Sequence, residues 1–350
     1  MVATMTSSGS AGARSATAVR TALVAALVGA TGVGSYGFFS EHTDMVPGAT
    51  TASGPSMQST SGQSSQAPAE ATPFTTADAG SCVTWQVGNG GELTYFERTD
   101  CNNAHRFEVS VRENLATYPT SEFGPQAQRP DVERQAQLRE ELCQNATLQY
   151  LDGAFDPSGR YSIASILPPA DKWAAGDRTL LCGVQSTDSH GQVVETQGFA
   201  AEQDQARTFV AGTCVAVSDQ QQLSAVDCAA PHQLEATQVV DLKPVFPDHT
   251  PSVEEQDKHL RETCEKAAMD FLGGEENLYQ STLQPYWIPL QPASWAGGSH
   301  STNCYLVHAN EGGGFSELAG SATAGTSGFT INGTPPPPQP EREPLRKPPA

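Results

Sequence analysis

Two stretches of the chain open with the same alternation of hydrophobic and polar residues, and each predicts a short β-strand. The strands are expected at residues 81–87 and 213–217, where apolar side chains recur at every second position, as in a half-buried strand. A turn-forming segment follows each of them. A longer strand is then predicted at residues 106–111 in the first stretch and 234–240 in the second. The same succession of elements therefore occurs twice.

Further along each stretch, apolar residues recur with the spacing of an amphipathic helix. In the second copy Ser252 precedes Glu255 by three positions, the signature of a capping box, and Gly273-Gly274 ends the helix. In the first copy the helix runs from about residue 131 to residue 152. The apolar face is expected to hold Val132, Ala136, Cys143, Ala146 and Tyr150 in the first copy, and Val253, Leu260, Cys264, Ala267 and Phe271 in the second.

These elements together predict the α+β class, with two tandem homologous small domains. Each domain is expected to be an antiparallel sheet with one main helix packed across it. The first would span residues 80–187 and the second residues 210–309. About 100 residues is an ordinary size for a domain, so the folded part of the chain is expected to lie in its middle.

Eight cysteines fall into two sets of four, and the residues around the two sets match. The second cysteine of each set lies in Asp-Cys-x3-His-x2-Glu, and Trp-Ala-x-Gly-x5 precedes the fourth. An even number of cysteines in duplicated positions indicates disulfide bonds and an oxidising compartment. The first set is Cys82, Cys101, Cys143 and Cys182, and the second is Cys214, Cys228, Cys264 and Cys304.

Four cysteines in a set allow three pairings, and spacing alone does not choose among them. We favour the first with the second and the third with the fourth. The first bond would bracket two strands and a turn, and the second would tie the helix to the last strand. Zinc binding and thiol redox chemistry are the alternatives, but both usually use a C-x2-C motif, which the chain lacks. We therefore expect structural disulfides, with no metal and no cofactor.

An apolar run extends from residue 21 to residue 39 near the N-terminus. As a helix it would span about 28 Å, close to the ~30 Å of a bilayer's hydrocarbon core. Arg14 and Arg20 precede it, which predicts that residues 1–20 are cytoplasmic and that the rest is exported. We expect a single-pass signal-anchor. The alternative is secretion after cleavage of a signal peptide at the small residues Val28-Gly29-Ala30.

Two segments have compositions that predict disorder. Residues 40–79 are mostly Ser, Thr, Ala, Gly, Gln and Pro, and residues 310–350 are rich in Gly and Ser and then in Pro. Such segments bury too little apolar surface to offset the entropy of ordering them. The proline-rich part favours polyproline II and is interpreted as a spacer, with a proline-binding partner as the alternative.

The net charge of −20 restricts the class of partner. An acidic chain repels the phosphate backbone, so nucleic acid is not expected to bind. The short basic patch between Arg342 and Lys347 is interpreted as solvated charge on the tail.

His105, Glu108, His232 and Glu235 repeat in both copies and are the candidates for chemistry. Histidine and glutamate can act as acid and base or bind metal. Here they lie where a turn enters a strand, so their side chains are expected to diverge. The chain has no G-x-S-x-G and no H-E-x-x-H motif. We expect structural roles for the four residues, with contact to a partner as the alternative, and no catalytic residue.

The motifs around the cysteines form a combined pattern. In the first copy it reads Gly80-x-Cys82, Asp100-Cys101-x3-His105-x2-Glu108-Val109 and Trp173-x2-Gly176-Asp177-x4-Cys182. In the second it reads Gly212-x-Cys214, Asp227-Cys228-x2-Pro231-His232-x2-Glu235 and Trp295-x2-Gly298-x5-Cys304, with departures at Ala236 and Ser299. This pattern resembles the septum-formation-related domain of actinobacterial envelope proteins, in two copies. Members of that family are typically membrane-anchored with an exported domain, so the resemblance implies a place at the cell envelope.

We therefore expect a membrane-anchored, extracytoplasmic binding or scaffold protein of the cell envelope, associated with septum formation and not an enzyme. Its partners would be envelope or division proteins, or a cell-wall polymer. One rival hypothesis is a metal-dependent cell-wall hydrolase built on the repeated histidines and glutamates. Another is an ectodomain that senses an envelope ligand.

Overall fold

The structure, a computed structural model, describes residues 76–87, 93–118 and 121–342. The expected cytoplasmic segment, the membrane anchor and nearly all of the N-terminal linker lie outside these residues. Within the described part, no helix combines the length and the apolar character that crossing a bilayer requires.

The first half of the described chain forms a six-stranded antiparallel sheet. Its strands are β1 (Cys82–Val87), β2 (Leu93–Thr99), β3 (Phe107–Asn114), β4 (Tyr161–Ile166), β5 (Thr179–Thr187) and β6 (Val193–Val194). The strand order is β2-β1-β3-β5-β4, and β6 pairs with the end of β5. Cys82 lies between Thr99 of β2 and Glu108 of β3, so the first cysteine is on an inner strand of the sheet.

The second half forms a five-stranded antiparallel sheet with an equivalent strand order. Its strands are β7 (Cys214–Val217), β8 (Leu223–Val226), β9 (Leu234–Asp241), β10 (Gln284–Trp287) and β11 (Ser301–Val307). The order is β8-β7-β9-β11-β10. Cys214 of β7 lies opposite Glu235 of β9, just as Cys82 lies opposite Glu108. The α+β class and the antiparallel sheets predicted from the sequence are confirmed.

One main helix packs on each sheet, but only the second is a continuous α-helix. In the first half α1 (Val132–Leu138) and α2 (Gln144–Tyr150) are joined by a π-helical turn at Arg139–Cys143. In the second half α4 (Val253–Leu272) is unbroken and begins with the predicted capping box of Ser252 and Glu255. The shorter helices are α3 (Ala170–Ala174), α5 (Glu275–Ser281) and α6 (Pro292–Ala296).

The π-helical turn corrects one prediction about the apolar face. Val132 was expected to face the sheet, yet it is 45% exposed. A π turn closes its hydrogen bond over five residues rather than four, which rotates the residues ahead of it. As a result α1 buries Leu138, whereas the regular helix α4 buries Leu260. When Cys143 is aligned with Cys264, Leu260 falls one position after Leu138.

Each half encloses its own apolar core between helix and sheet. In the first half Leu138 and Leu151 pack with Leu180 of β5. In the second, Leu260 packs with Trp287 of β10. Among the described residues, each cluster of buried apolar side chains is confined to one half, so the contacts between the halves are of another kind.

The two halves meet at a buried carboxylate. Asp156 of the first half accepts hydrogen bonds from the hydroxyls of Ser294 (3.2 Å) and Ser299 (2.5 Å) of the second. Close approach here requires glycine, because a Cβ on Gly297 would lie 2.6 Å from the carbonyl oxygen of Phe155. The contact between the halves is therefore polar and tightly fitted.

Four disulfides link all eight cysteines in the favoured pairing, which is confirmed. The bonds are Cys82–Cys101, Cys143–Cys182, Cys214–Cys228 and Cys264–Cys304, with Cα–Cα distances of 5.0–5.2 Å. In each half one bond joins β1 or β7 to the turn before the next long strand. The other joins the main helix to β5 or β11, as the position of Cys143 and Cys264 on the helix face predicted.

The tail was expected to be disordered from residue 310, and the structure corrects this prediction. Two short strands, β12 (Leu318–Ala319) and β13 (Thr330–Ile331), pair there, and a 3₁₀-helix at Ala322–Ala324 lies between them. Leu318 and Phe329 are buried. The few large apolar residues in this segment pack with Leu272, Leu283 and Leu306 of the second half, so its own low apolar content does not decide its order.

Candidate functional site

The Asp-Cys-x3-His-x2-Glu segment forms a tight turn that leads into the central strand of each sheet. The aspartate begins the turn, because its side chain accepts a backbone hydrogen bond from two residues further on. Asp100 accepts from Asn102 and Asp227 accepts from Ala229, both at 2.9 Å. This local pairing is typical of aspartate in turns. It positions the histidine and glutamate that follow.

His105 and His232 are completely buried and bind backbone. His105 exchanges both backbone hydrogen bonds with Thr196, and His232 does so with Leu318, over 2.7–3.0 Å. The ring Nδ1 atoms lie 2.9 Å from the carbonyl oxygens of Asn103 and Ala230. A carbonyl only accepts, so each Nδ1 carries the hydrogen. The Nε2 atoms have no hydrogen-bond partner among the described residues.

Glu108 is also buried, and both carboxylate oxygens are occupied. Oε1 accepts a hydrogen bond of 2.7 Å from the Tyr150 hydroxyl on α2, and Oε2 accepts one of 2.7 Å from the backbone N–H of Ala200. Burial, and then the adjacent Glu108 carboxylate, raise the pKa of the Tyr150 hydroxyl. The phenol therefore keeps its proton and remains a donor to Glu108.

Glu235 has the same environment in the second half, but its hydroxyl donor comes from another element. The donor is Ser321, at 2.5 Å, and the backbone N–H of Ala322 donates at 2.8 Å. The helix position that matches Tyr150 is Phe271, and the position that matches Ser321 is Phe199. The hydroxyl therefore lies on the helix in the first half and on the extension in the second, and the other matched position is phenylalanine in each half.

Sequence reasoning missed the segments that these glutamates bind. Each is a short extension after the last long strand, and its glycine N–H donates to a carbonyl of the second cysteine. The bonds are Gly198 to Cys101, at 2.7 Å, and Gly320 to Cys228, at 2.6 Å. A signal was present, because a Gly-x-Ala motif follows the fourth cysteine at the same spacing in both copies. The predicted boundaries at residues 187 and 309 therefore cut each unit short of the extension that covers its histidine and glutamate.

The geometry determines what these residues can do chemically. Each glutamate fastens an extension to the sheet, and each histidine fastens the same extension through its backbone. The four side chains are 2% exposed or less, so they are out of reach of a macromolecular partner in this conformation. Among the described residues, no group of three or more His, Cys, Asp or Glu is arranged to hold a metal ion. The arrangement is that of a structural clasp.

Comparison with known proteins finds one matching family and two relatives of similar sequence. The sequence model of a family described as septum formation matches residues 79–304. Two relatives are each called an uncharacterized membrane protein of Mycobacterium tuberculosis, in strain CDC 1551 / Oshkosh and in strain ATCC 25618 / H37Rv. Each is 34% identical over 272 residues, covering 77% of this chain and 59% of the relative. The chain thus spans less than two thirds of their length. No solved structure matches it.

Proposed function

We propose, from the premise that the chain belongs to the septum formation family, that it is a membrane-anchored binding or scaffold protein of the cell envelope. The folded part would lie outside the cytoplasm, and envelope or division proteins, or a cell-wall polymer, would be its partners. The site of action would be the division septum.

The observation that carries the proposal is the oxidation state of the cysteines. All eight lie in disulfides, which persist outside the cytoplasm and are rare within it. The relatives are membrane proteins by name, which supports an anchor, and the apolar run at residues 21–39 is the segment proposed to supply it.

We also propose that the two halves are copies of one module. Support comes from the equivalent strand orders, the equivalent disulfides and the repeated clasp of histidine and glutamate. A duplicated module with buried polar residues suits presentation of surface to partners rather than chemistry at one centre.

The export part of the proposal is tested by labelling thiols in intact cells and mapping peptides without reduction. We expect no free thiol in residues 80–310, and a chain that lacks residues 21–39 should lose membrane association. Free thiols at Cys143 and Cys182 would overturn export. The septal part is tested separately with a fluorescent fusion in dividing cells, and an even distribution around the membrane would contradict it.

The absence of catalysis is proposed from the clasp, since its four side chains are buried and the carboxylate oxygens of both glutamates accept hydrogen bonds. The metal content of the purified chain is the measurement, with His105→Ala and His232→Ala as variants and His190→Ala, at an exposed histidine, as the control. We expect no stoichiometric zinc in any of them. Zinc that is present in the native chain and is lost only from the first two variants would favour a hydrolase instead.

A further inference from the structure

Helix α5 is covered by a proline-rich segment of the same chain, residues 335–342. Pro336, Gln339 and Arg342 are buried or half-buried, and the residues between them are exposed. A period of three is that of a polyproline II helix. One edge of the segment thus faces the protein, as in the recognition of proline-rich peptides by binding modules.

The contacts with this segment combine a backbone clamp with recognition of one charge. The side chain of Gln280 accepts a hydrogen bond of 3.0 Å from the backbone N–H of Gln339 and donates one of 3.3 Å to its carbonyl oxygen. The guanidinium of Arg342 lies 4.0 Å from the ring centroid of Tyr279 and 3.1 Å from a carboxylate oxygen of Glu275. The two hydrogen bonds from Gln280 select a peptide with an extended backbone. The ring of Tyr279 and the carboxylate of Glu275 select an arginine.

A groove of about 340 Å³ continues beside this contact. Its lining residues include Glu265 and Met269 of α4, Leu278 of α5, and Thr282 and Leu283. An apolar floor edged by carboxylates suits a peptide that carries both apolar and cationic groups. The segment borders this groove through Gln339 and Arg342 and leaves it open.

Two further features indicate that residues 335–342 do not fill all of the binding site. Thr282 Oγ1 and Arg342 Nε are buried and have no hydrogen-bond partner among the described residues, and both residues line the groove. Thr282 also has φ of 61°, a strained conformation for a β-branched residue and one that occurs preferentially at functional sites. A ligand group in the groove would pair with these atoms.

In the first half, the residues that follow the main helix are also covered by another segment of the chain. There Gln205 lies on the covering segment, and its side chain bonds Asp156 N (3.0 Å) and Ala154 O (2.7 Å). That segment leads into β7 and is held at both ends. In the second half no described helix or strand follows the covering segment. Five of the eight residues from 335 to 342 are exposed, with Pro335 among them.

We propose that α5 and the end of α4 form a binding site for an extended, proline-rich, arginine-bearing peptide, and that residues 335–342 occupy it in cis as a displaceable strap. The inference goes beyond the proposed function, since it concerns a surface separate from the clasp and holds wherever the protein is located. The strap competes with other peptides of the same chemistry.

The test uses the full chain in detergent and a fluorescent, C-terminally amidated peptide with the sequence of residues 333–342, GTPPPPQPER. The variant Arg342→Ala removes the guanidinium that contacts Tyr279 and Glu275 and thereby releases the strap. A tethered ligand has an effective concentration of order millimolar. If the peptide binds with a Kd of about 100 μM, release of the strap should tighten its apparent affinity about tenfold.

Two variants in the released background show whether the peptide uses this site. Glu275→Arg should weaken peptide binding at least about tenfold, and a peptide with glutamate in place of its arginine should restore it. Glu262→Arg, an equal charge change at an exposed position of α4, should leave binding unchanged. Equal binding to the native and released chains, or binding that Glu275→Arg does not alter, would overturn the proposal. A dimer of the native chain that Glu275→Arg abolishes would support the site, with the strap of a second copy as occupant.

Discussion

At the scale of single residues, the two halves satisfy one buried carboxylate by different means. Glu108 takes its hydroxyl donor from Tyr150 on the main helix, whereas Glu235 takes it from Ser321 on the extension. A buried carboxylate that loses a donor keeps its desolvation penalty. We therefore expect that each half needs a hydroxyl donor and that either the main helix or the extension can supply it.

Removal of the hydroxyl in the first half gives the first prediction. Tyr150→Phe should lower the free energy of unfolding by about 1–3 kcal/mol, because Glu108 then keeps only the Ala200 N–H. Tyr118→Phe is the matched control, since its hydroxyl bonds the partly exposed Glu113 at 3.3 Å and should contribute less than about 0.5 kcal/mol. Urea denaturation followed by tryptophan fluorescence measures both. Equal losses in the two variants would contradict the role of the buried donor.

The second prediction exchanges the donor in the other half. Ser321→Ala should destabilise by about 1–3 kcal/mol, as Glu235 loses its hydroxyl. Adding Phe271→Tyr places a phenol at the position of Tyr150 and should recover at least half of the loss. The same denaturation measurement applies. A double variant no more stable than Ser321→Ala alone would show that the two halves are not interchangeable at this point.

At the scale of elements, the sequence predicts what local patterns specify. The capping box of Ser252 and the helix α4 follow from spacing along one element. The pairing of Cys264 with Cys304 is favoured because it ties the helix to the last strand, as the structure shows. The π-helical turn before Cys143 does not follow from spacing, since a register shift depends on which side chain the sheet can bury. The order of residues 310–342 escapes prediction because Leu318 and Phe329 dock on distant parts of the fold.

The extension gives the third prediction, because it should behave as part of the fold. Gly320 has φ of +90°, and a Cβ there would lie 2.3 Å from the carbonyl oxygen of Gly328. Gly320→Ala should therefore destabilise by about 3 kcal/mol or more, from backbone strain and the clash together. At Gly325, φ is +78° and ψ is 173°, and a Cβ would meet nothing within 4 Å. Gly325→Ala therefore carries backbone strain of about 1–3 kcal/mol without a clash, and it should cost less than Gly320→Ala.

Hydrogen exchange of the Leu318 and Ala322 amides checks the same point locally. Gly320→Ala should increase their exchange rates, and Gly325→Ala should change them much less. Rapid exchange of both amides in the native chain would restore the original prediction of a disordered tail.

At the scale of the whole molecule, the polar contact between the halves decides whether they unfold together. Asp156 is buried, and two of its hydrogen bonds come from serines of the other half. Breaking the partners of a buried charge while leaving the charge in place is strongly destabilising. The two halves have separate apolar cores, so they are coupled by polar contacts: this carboxylate, the hydrogen bond from Gln205 N–H to the Gly298 carbonyl and the one from His300 N–H to Asp204.

The fourth prediction follows from that coupling. The native chain should unfold in one transition, and Ser294→Ala with Ser299→Ala should split it into two, because about 2–4 kcal/mol of coupling is lost with both donors. Ser224→Ala is the control, since its hydroxyl makes only a 3.4 Å contact across the halves, to Ser189. Calorimetry with the disulfides intact distinguishes one transition from two. Two transitions already present in the native chain would mean that the buried carboxylate orients the halves without joining them, and that each half presents its surface to partners on its own.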